Sequence, residues 1–205
     1  MKYIYRKAPE PSRKLAGAVW MWDGIVDNWE QIIEKADKNI GAISNLGTEL
    51  YTWGPAATRD GKTTGLRRNQ IFNVTDAGVR GHEVSRQVHN QIAGLIDECA
   101  GAYAQFFETT FSEHEDFHIL KYEGATNDHY DAHYDGGPYN KRWISAIVYL
   151  NDDYEGGELE FVHFGVKIKP KKGSLVIFPS NYAYAHIAHA VTSGTKYAIV
   201  TWLNA

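Results

Sequence analysis

The chain has 205 residues, 43% hydrophobic and 13% aromatic, which is enough apolar side chain to bury one sizeable core and too much for a long disordered tract. A formal net charge of -4 excludes a global attraction for phosphate backbones or anionic lipid, so neither nucleic acid nor a membrane is an expected partner. The lone cysteine, Cys99, excludes an intramolecular disulfide, and the leading residues lack the apolar core of a signal peptide, so the expected setting is reducing and cytoplasmic.

Beyond the first dozen residues the chain divides by periodicity. Asp27-Asn28-Trp29-Glu30 reads as a capped helix start, and Trp29, Ile32, Ile33, Ala36 and Ile40 then recur at helical spacing, predicting a helix over 28–39. Glycines and Pro55 punctuate 41–66, which reads as irregular chain with one short strand, and 67–74 reads as a strand. Val84, Val88, Ile92, Leu95, Ile96, Cys99, Tyr103 and Phe106 mark one face of a long helix over 81–107. Short β-rich runs follow at 117–123, 128–135, 143–151, 157–163, 166–169, 173–179, 183–189 and 195–203. The pattern is mainly β with supporting helices. It predicts one domain over 1–205, in which helical support at 25–110 packs on one sheet of a jelly roll, a double-stranded β-helix, at 117–205.

Chemistry concentrates in the β-rich half. His133 and Asp135 are two apart, so on a strand their side chains share a face and can bind one metal ion. His186, on a later strand, would complete a set of two imidazoles and one carboxylate that leaves coordination positions open, the arrangement suited to iron(II) oxygen chemistry. Lys196 would place a cation deep in the barrel, where it could neutralise the far carboxylate of a chelating keto acid. Tyr122 could donate a hydroxyl hydrogen bond to the same acid. Two ambiguities stand at this point. His129-Tyr130-Asp131 repeats the His-Tyr-Asp triplet four residues before His133, and His189 competes with His186. His82, His89, His114, His118 and His163 read as ordinary residues, and Gly156, Gly157 and Glu158 as a hairpin turn and its flank.

Taken in order, Tyr122, His133-Tyr134-Asp135, Arg142, Tyr149-Leu150-Asn151, Gly156-Gly157-Glu158, His186, Val191, Gly194 and Lys196 resemble the prolyl 4-hydroxylase branch of the 2-oxoglutarate and iron(II) dependent dioxygenases. The resemblance covers roughly 117–205. One departure is Ala190, where proline usually precedes the valine and shapes a turn.

The resemblance implies that His133, Asp135 and His186 are the iron ligands, that Lys196 and Tyr122 hold 2-oxoglutarate, and that Arg142 and Trp202 line a peptide groove. The ten-residue step to Lys196 favours His186 over His189, and the placement of Tyr130 and the Gly-Gly-Pro run favours the later triplet. The implied activity consumes O2 and 2-oxoglutarate, with ascorbate as reductant, and hydroxylates a proline-containing peptide or protein with release of succinate and carbon dioxide. A free amino acid or other small molecule is the alternative substrate. A jelly-roll module holding structural zinc or nothing is the alternative of another class. Loops 54–66 and 136–142, the second with Tyr139, are expected lids.

Overall fold

Strands of the C-terminal half bury both faces, one under a long helix and one toward a second sheet, and side-chain alternation sorts their residues between the two layers. The computed structural model describes residues 9–39, 53–56, 65–138 and 140–205. In chain order these hold β1 (Arg13–Leu15), β2 (Val19–Trp22), α1 (Trp29–Asn39), β3 (Gly54–Pro55), β4 (Arg67–Arg68), β5 (Gln70–Asn73), α2 (Val74–Val79), α3 (Glu83–Phe106) and β6 (His118–Glu123). Then come β7 (His129–His133), β8 (Arg142–Tyr149), β9 (Glu155–Gly156), β10 (Leu159–Phe161), β11 (Val166–Ile168), β12 (Ser174–Pro179), β13 (His186–Ala188), β14 (Val191–Ser193) and β15 (Thr195–Asn204).

The larger sheet runs β1-β2-β12-β8-β15-β6-β5-β3, the smaller β11-β10-β13-β7-β4, and β14 pairs with β9. This is the expected jelly roll, built of antiparallel pairs. On β8, Ile144, Ala146 and Val148 join the layer beneath α3, while Ser145, Ile147 and Tyr149 turn toward the second sheet. Strand β15 alternates the same way: Tyr197, Ile199 and Leu203 face the helix layer, and Lys196, Ala198, Val200 and Trp202 line the interior.

Helix α3 supplies Val88, Ile92, Ile96, Cys99 and Tyr103 to that outer core, at the spacing the sequence predicts. Each large side chain so buried stabilises the fold by roughly 1.5–3 kcal/mol. The helix ends where Glu108 takes φ 50° and Thr109 N–H donates back to the Ala104 carbonyl at 2.9 Å, a left-handed cap.

Three differences from expectation have local causes. Strands β1 and β2 precede the helices and extend the larger sheet beyond β12. Strand β2 hides in the sequence because Val19-Trp20-Met21-Trp22 is apolar at every position. Val19 and Met21 face the inner core while Trp20 and Trp22 face α3, so no alternation appears. The strand expected over 67–74 stops at Asn73, whose side chain accepts from the Asp76 amide at 2.9 Å and starts α2. Single 3-10 turns at Val162–Phe164 and Tyr182–Tyr184 shorten the strands expected at 157–163 and 183–189. Ile40, most of the 54–66 loop and Tyr139 lie outside the described residues.

Candidate metal centre

In the register of the smaller sheet, His186 of β13 sits directly opposite His133 of β7, and their ring centres are 4.3 Å apart. Asp135 points to the same side as His133, as the two-residue spacing predicts, but it lies beyond the end of β7, where the chain bends, so contacts outside the strand also place it. Those contacts fix its carboxylate. Ser145 Oγ–H donates to Oδ2 at 2.6 Å, and Asn140 Nδ2 holds its carbonyl at 3.0 Å. The next amide, Gly136 N–H, donates to Ser180 O at 2.6 Å. The result is a triangle in which Asp135 Oδ1 lies 3.8 Å from His133 Nε2 and Oδ2 lies 3.8 Å from His186 Nε2. Among the described residues, these three form the group of donors able to hold a metal ion.

Protonation suits that use. His133 Nδ1 is 2.7 Å from Asp131 O and His186 Nδ1 is 3.1 Å from Tyr184 O. A carbonyl only accepts, so each Nδ1 carries a hydrogen, and Nε2 is the nitrogen that faces the triangle. Burial, reinforced by the neighbouring His186, pushes the His133 pKa down to about 3, so its ring is neutral. Burial works against the Asp135 carboxylate, but His186, His133 and the Ser145 hydroxyl outweigh it and hold its pKa below the ordinary value. A neutral imidazole at His133 and an ionised carboxylate suit a divalent cation.

The triangle opens into a cavity of about 550 Å³ shared by His133, Asp135, His186, Lys196 and Tyr122. Lys196 is 3% exposed, and its ammonium donates to Gly157 O at 2.7 Å, with no carboxylate within ion-pair distance among the described residues. Burial pulls its pKa down to about 7, although Glu158 opposes the shift. Tyr122 is likewise buried, and desolvation raises its phenol to about 12, so it remains a neutral donor. A buried cation and a buried hydroxyl fit the far end of a dicarboxylate keto acid, and the triangle fits the metal that would chelate its other end.

Arg142 and Trp202 also line the cavity. The Arg142 guanidinium lies 3.4 Å from the Trp202 ring centre and grips Glu115 through Nε at 3.0 Å and Nη2 at 2.7 Å. Trp202 also helps to hold the Asp135 carboxyl below its ordinary value, and His118 Nδ1 is buried with no hydrogen-bond partner among the described residues.

The competing residues are placed elsewhere. His129 directs Nδ1 to Asn127 O at 2.9 Å and Nε2 to Gly65 O at 3.4 Å, and Asp131 is exposed. His189 pairs with Glu160 at 2.6 Å. Sequence reasoning missed Ser145, Glu115, Arg67, Tyr130 and the placement of His118 in the cavity wall. For Ser145 a signal existed: its position on β8 makes it inward-facing, and a polar residue at such a position calls for a buried partner. Gly156 and Gly157 take φ 70° and 68° in a tight turn against Ala190, as a structural reading of those glycines expects.

Residues 117–204 match the model of the 2OG-Fe(II) oxygenase superfamily. Prolyl 3-hydroxylase 2 of Homo sapiens is 41% identical over 71 residues, which are 32% of this chain and 10% of that protein. A putative prolyl 4-hydroxylase of Acanthamoeba polyphaga mimivirus is 29% identical over 159 residues, 66% of this chain and 63% of that one. The chain therefore spans about a tenth of the first relative's length and under two thirds of the second's. The solved structure of a Trichoplax adhaerens prolyl hydroxylase, in complex with a hypoxia inducible factor oxygen degradation domain peptide fragment, superposes with a TM-score of 0.69. That likeness spans 92% of this chain and 84% of the other at 17% identity, and it establishes a shared fold.

Proposed function

Because residues 117–204 match the model of the 2OG-Fe(II) oxygenase superfamily, we propose that this protein is a dioxygenase that hydroxylates an unactivated carbon of a proline-containing peptide. Its co-substrates are O2 and 2-oxoglutarate, and its co-products succinate and carbon dioxide. The observation that carries this reading is the shared cavity: a carboxylate flanked by two imidazoles and a buried ammonium line the same space.

In this assignment His133, Asp135 and His186 would hold the iron(II). O2 is the oxidant: one pair of its four electrons would come from the keto acid as it is decarboxylated and the other from the substrate C–H bond, with the bound iron supplying the redox chemistry. Lys196 neutralises the distal carboxylate of the keto acid, and the Tyr122 hydroxyl donates to it. Leu120, Ile147 and Val200 make part of the cavity wall apolar, and an apolar lining strengthens charge interactions beside it. Arg142, fixed by Glu115 and stacked on Trp202, forms a rigid side of the substrate space. Ascorbate serves as reductant. A reducing cytoplasmic compartment suits both ferrous iron and the buried thiol of Cys99. Support for a peptide comes from the prolyl hydroxylase names of the relatives and from the peptide held by one structural neighbour.

Two steps test the proposal. Without oxygen, iron(II) and 2-oxoglutarate added together should give a visible charge-transfer band. With oxygen, succinate release should be stimulated by proline-containing peptides, with one hydroxyl formed per succinate. No band and no keto-acid consumption would leave only a metal-binding module. Stimulation by free amino acids alone would replace the peptide substrate with a small molecule.

A further inference from the structure

We propose that Arg67 is a subsite for a carboxylate of the substrate, so that the preferred substrate carries a negative charge close to the carbon that reacts. The inference deepens the proposed hydroxylase reading and rests on it.

Two arginines line the cavity, and their surroundings differ. Arg142 is already satisfied: Glu115 takes its Nε and Nη2, and Trp202 covers its face. Its charge is cancelled locally, so it offers little to an incoming anion. Arg67 sits on β4 directly opposite Tyr130 of β7, and β4 is the last strand of the smaller sheet among the described residues. Its Nε donates to the buried Asn69 Oδ1 at 2.8 Å, which fixes the plane of the guanidinium. Its central carbon is 4.6 Å from the Tyr130 ring centre. No carboxylate of the described residues lies within ion-pair distance of it.

Position relative to the chemistry follows from the stack. Tyr130, beneath Arg67, lies flat on His133, with ring centres 3.5 Å apart and planes at 14°. The order Arg67, Tyr130, His133 therefore sets a cation one aromatic layer from the metal triangle. Lys196 answers the keto acid from a different wall, on β15 of the larger sheet. A half-buried guanidinium held in place by Asn69 and by a hydrogen bond to the Tyr130 side chain, with no counter-ion among the described residues, keeps further N–H donors for an anion, and its planar fork matches a carboxylate. The carboxylate has two possible sources: the chain terminus of a substrate whose reacting residue is last, or an acidic side chain beside the reacting residue.

The test measures binding and turnover on the same ligands. Zinc(II)-loaded, 2-oxoglutarate-bound protein is titrated calorimetrically with four proline-containing peptides: free-acid and amidated C-termini on proline, and internally placed Pro-Glu and Pro-Gln with both ends blocked. The iron(II) enzyme is then assayed on the same set. One of the two acidic members should bind roughly tenfold more tightly than its neutral partner, as expected for a charge-assisted bidentate pair, and which pair does so identifies the source. In Arg67→Gln that ratio should fall to near one, and in Arg67→Lys it should be partly retained. The affinity of each variant for 2-oxoglutarate reports that the site is folded. Equal binding within both pairs, or a ratio that persists in Arg67→Gln, overturns the proposal. So does a loss in Arg67→Gln that falls on 2-oxoglutarate instead of the peptide. Charge discrimination in binding with no hydroxylation of any peptide would refute the hydroxylase reading while leaving the Arg67 subsite standing. Hydroxylation without discrimination would do the reverse.

Discussion

Lys196 and Tyr122 face each other directly in the register of β15 and β6, with the ammonium 5.2 Å from the phenol ring centre and no carboxylate of the described residues within ion-pair distance of it. A buried lysine drawn down to about 7 is a group waiting for an anion, and pH will reveal it. From about 7 up to the ordinary lysine value, the unfolded chain binds a proton that the native ligand-free protein lacks. Stability without ligand should therefore rise with pH through that window. Binding of 2-oxoglutarate in the same window must recruit the missing proton. Its dissociation constant should weaken with rising pH above 7, by at most about tenfold per unit, and Lys196→Met should bind weakly with a flat profile. Calorimetry in buffers of different ionisation enthalpy counts the proton directly. An unchanged affinity in Lys196→Met would remove Lys196 from the keto-acid site.

The two His-Tyr-Asp triplets make opposite predictions. Asp135→Ala removes the carboxylate that lies 3.8 Å from each imidazole nitrogen, so divalent metal affinity and succinate production should both collapse. Asp131 is exposed, and its side chain approaches His129 only at 3.9 Å. Asp131→Ala should therefore bind metal as the parent does, provided its backbone carbonyl still receives His133 Nδ1–H. Cobalt(II) titration followed by visible absorption separates the two without relying on turnover.

How far the sequence led depends on whether an element's role lies in its own pattern or in its partner. Helix α3 and the long strands were legible because each has one dominant periodicity. His133, His186 and Lys196 were legible because order and spacing carry across a shared register. Strand β2 was not, since a strand buried on both faces has no alternation to read. Asp135 was identified for an incomplete reason. The spacing rule assumes a continuing strand, while the structure places the carboxylate through Ser145 and Asn140, distant in space until the fold closes. Arg67 escaped because its interest lies in its place over Tyr130 with no carboxylate beside it among the described residues, which only the folded chain can display.

The turn at Gly156 should tolerate no side chain. Its φ is 70°, and a Cβ there would meet the Ala190 carbonyl oxygen at 2.2 Å, while Gly157 N–H donates to that same oxygen at 2.9 Å. Gly156→Ala must break this contact or move β14, which carries the buried Val191. A loss of about 1–3 kcal/mol in unfolding free energy is expected from the backbone strain. It should come with weaker 2-oxoglutarate binding, because the neighbouring Gly157 carbonyl receives Lys196. Gly137→Ala, where nothing lies within 4 Å, is the control and should denature as the parent does.

Ser145 should tune the metal centre from behind. It is fully buried on β8, donates to Asp135 Oδ2 at 2.6 Å and pairs with Ser180 Oγ at 2.8 Å. Since Asp135 lies off the strand, this hydroxyl is what aims its carboxylate, and it also contributes to keeping that carboxylate ionised. Ser145→Ala should weaken cobalt(II) affinity by roughly 10- to 100-fold, the usual effect of removing a partner that orients a ligand. Ser145→Thr keeps the hydroxyl and should recover most of the loss. That rescue separates aiming from packing, because threonine also adds a methyl group to a fully buried position. If alanine and threonine lowered metal affinity equally, the serine would be filling space, and the aim of Asp135 would have to come from the Asn140 and Gly136 backbone contacts alone.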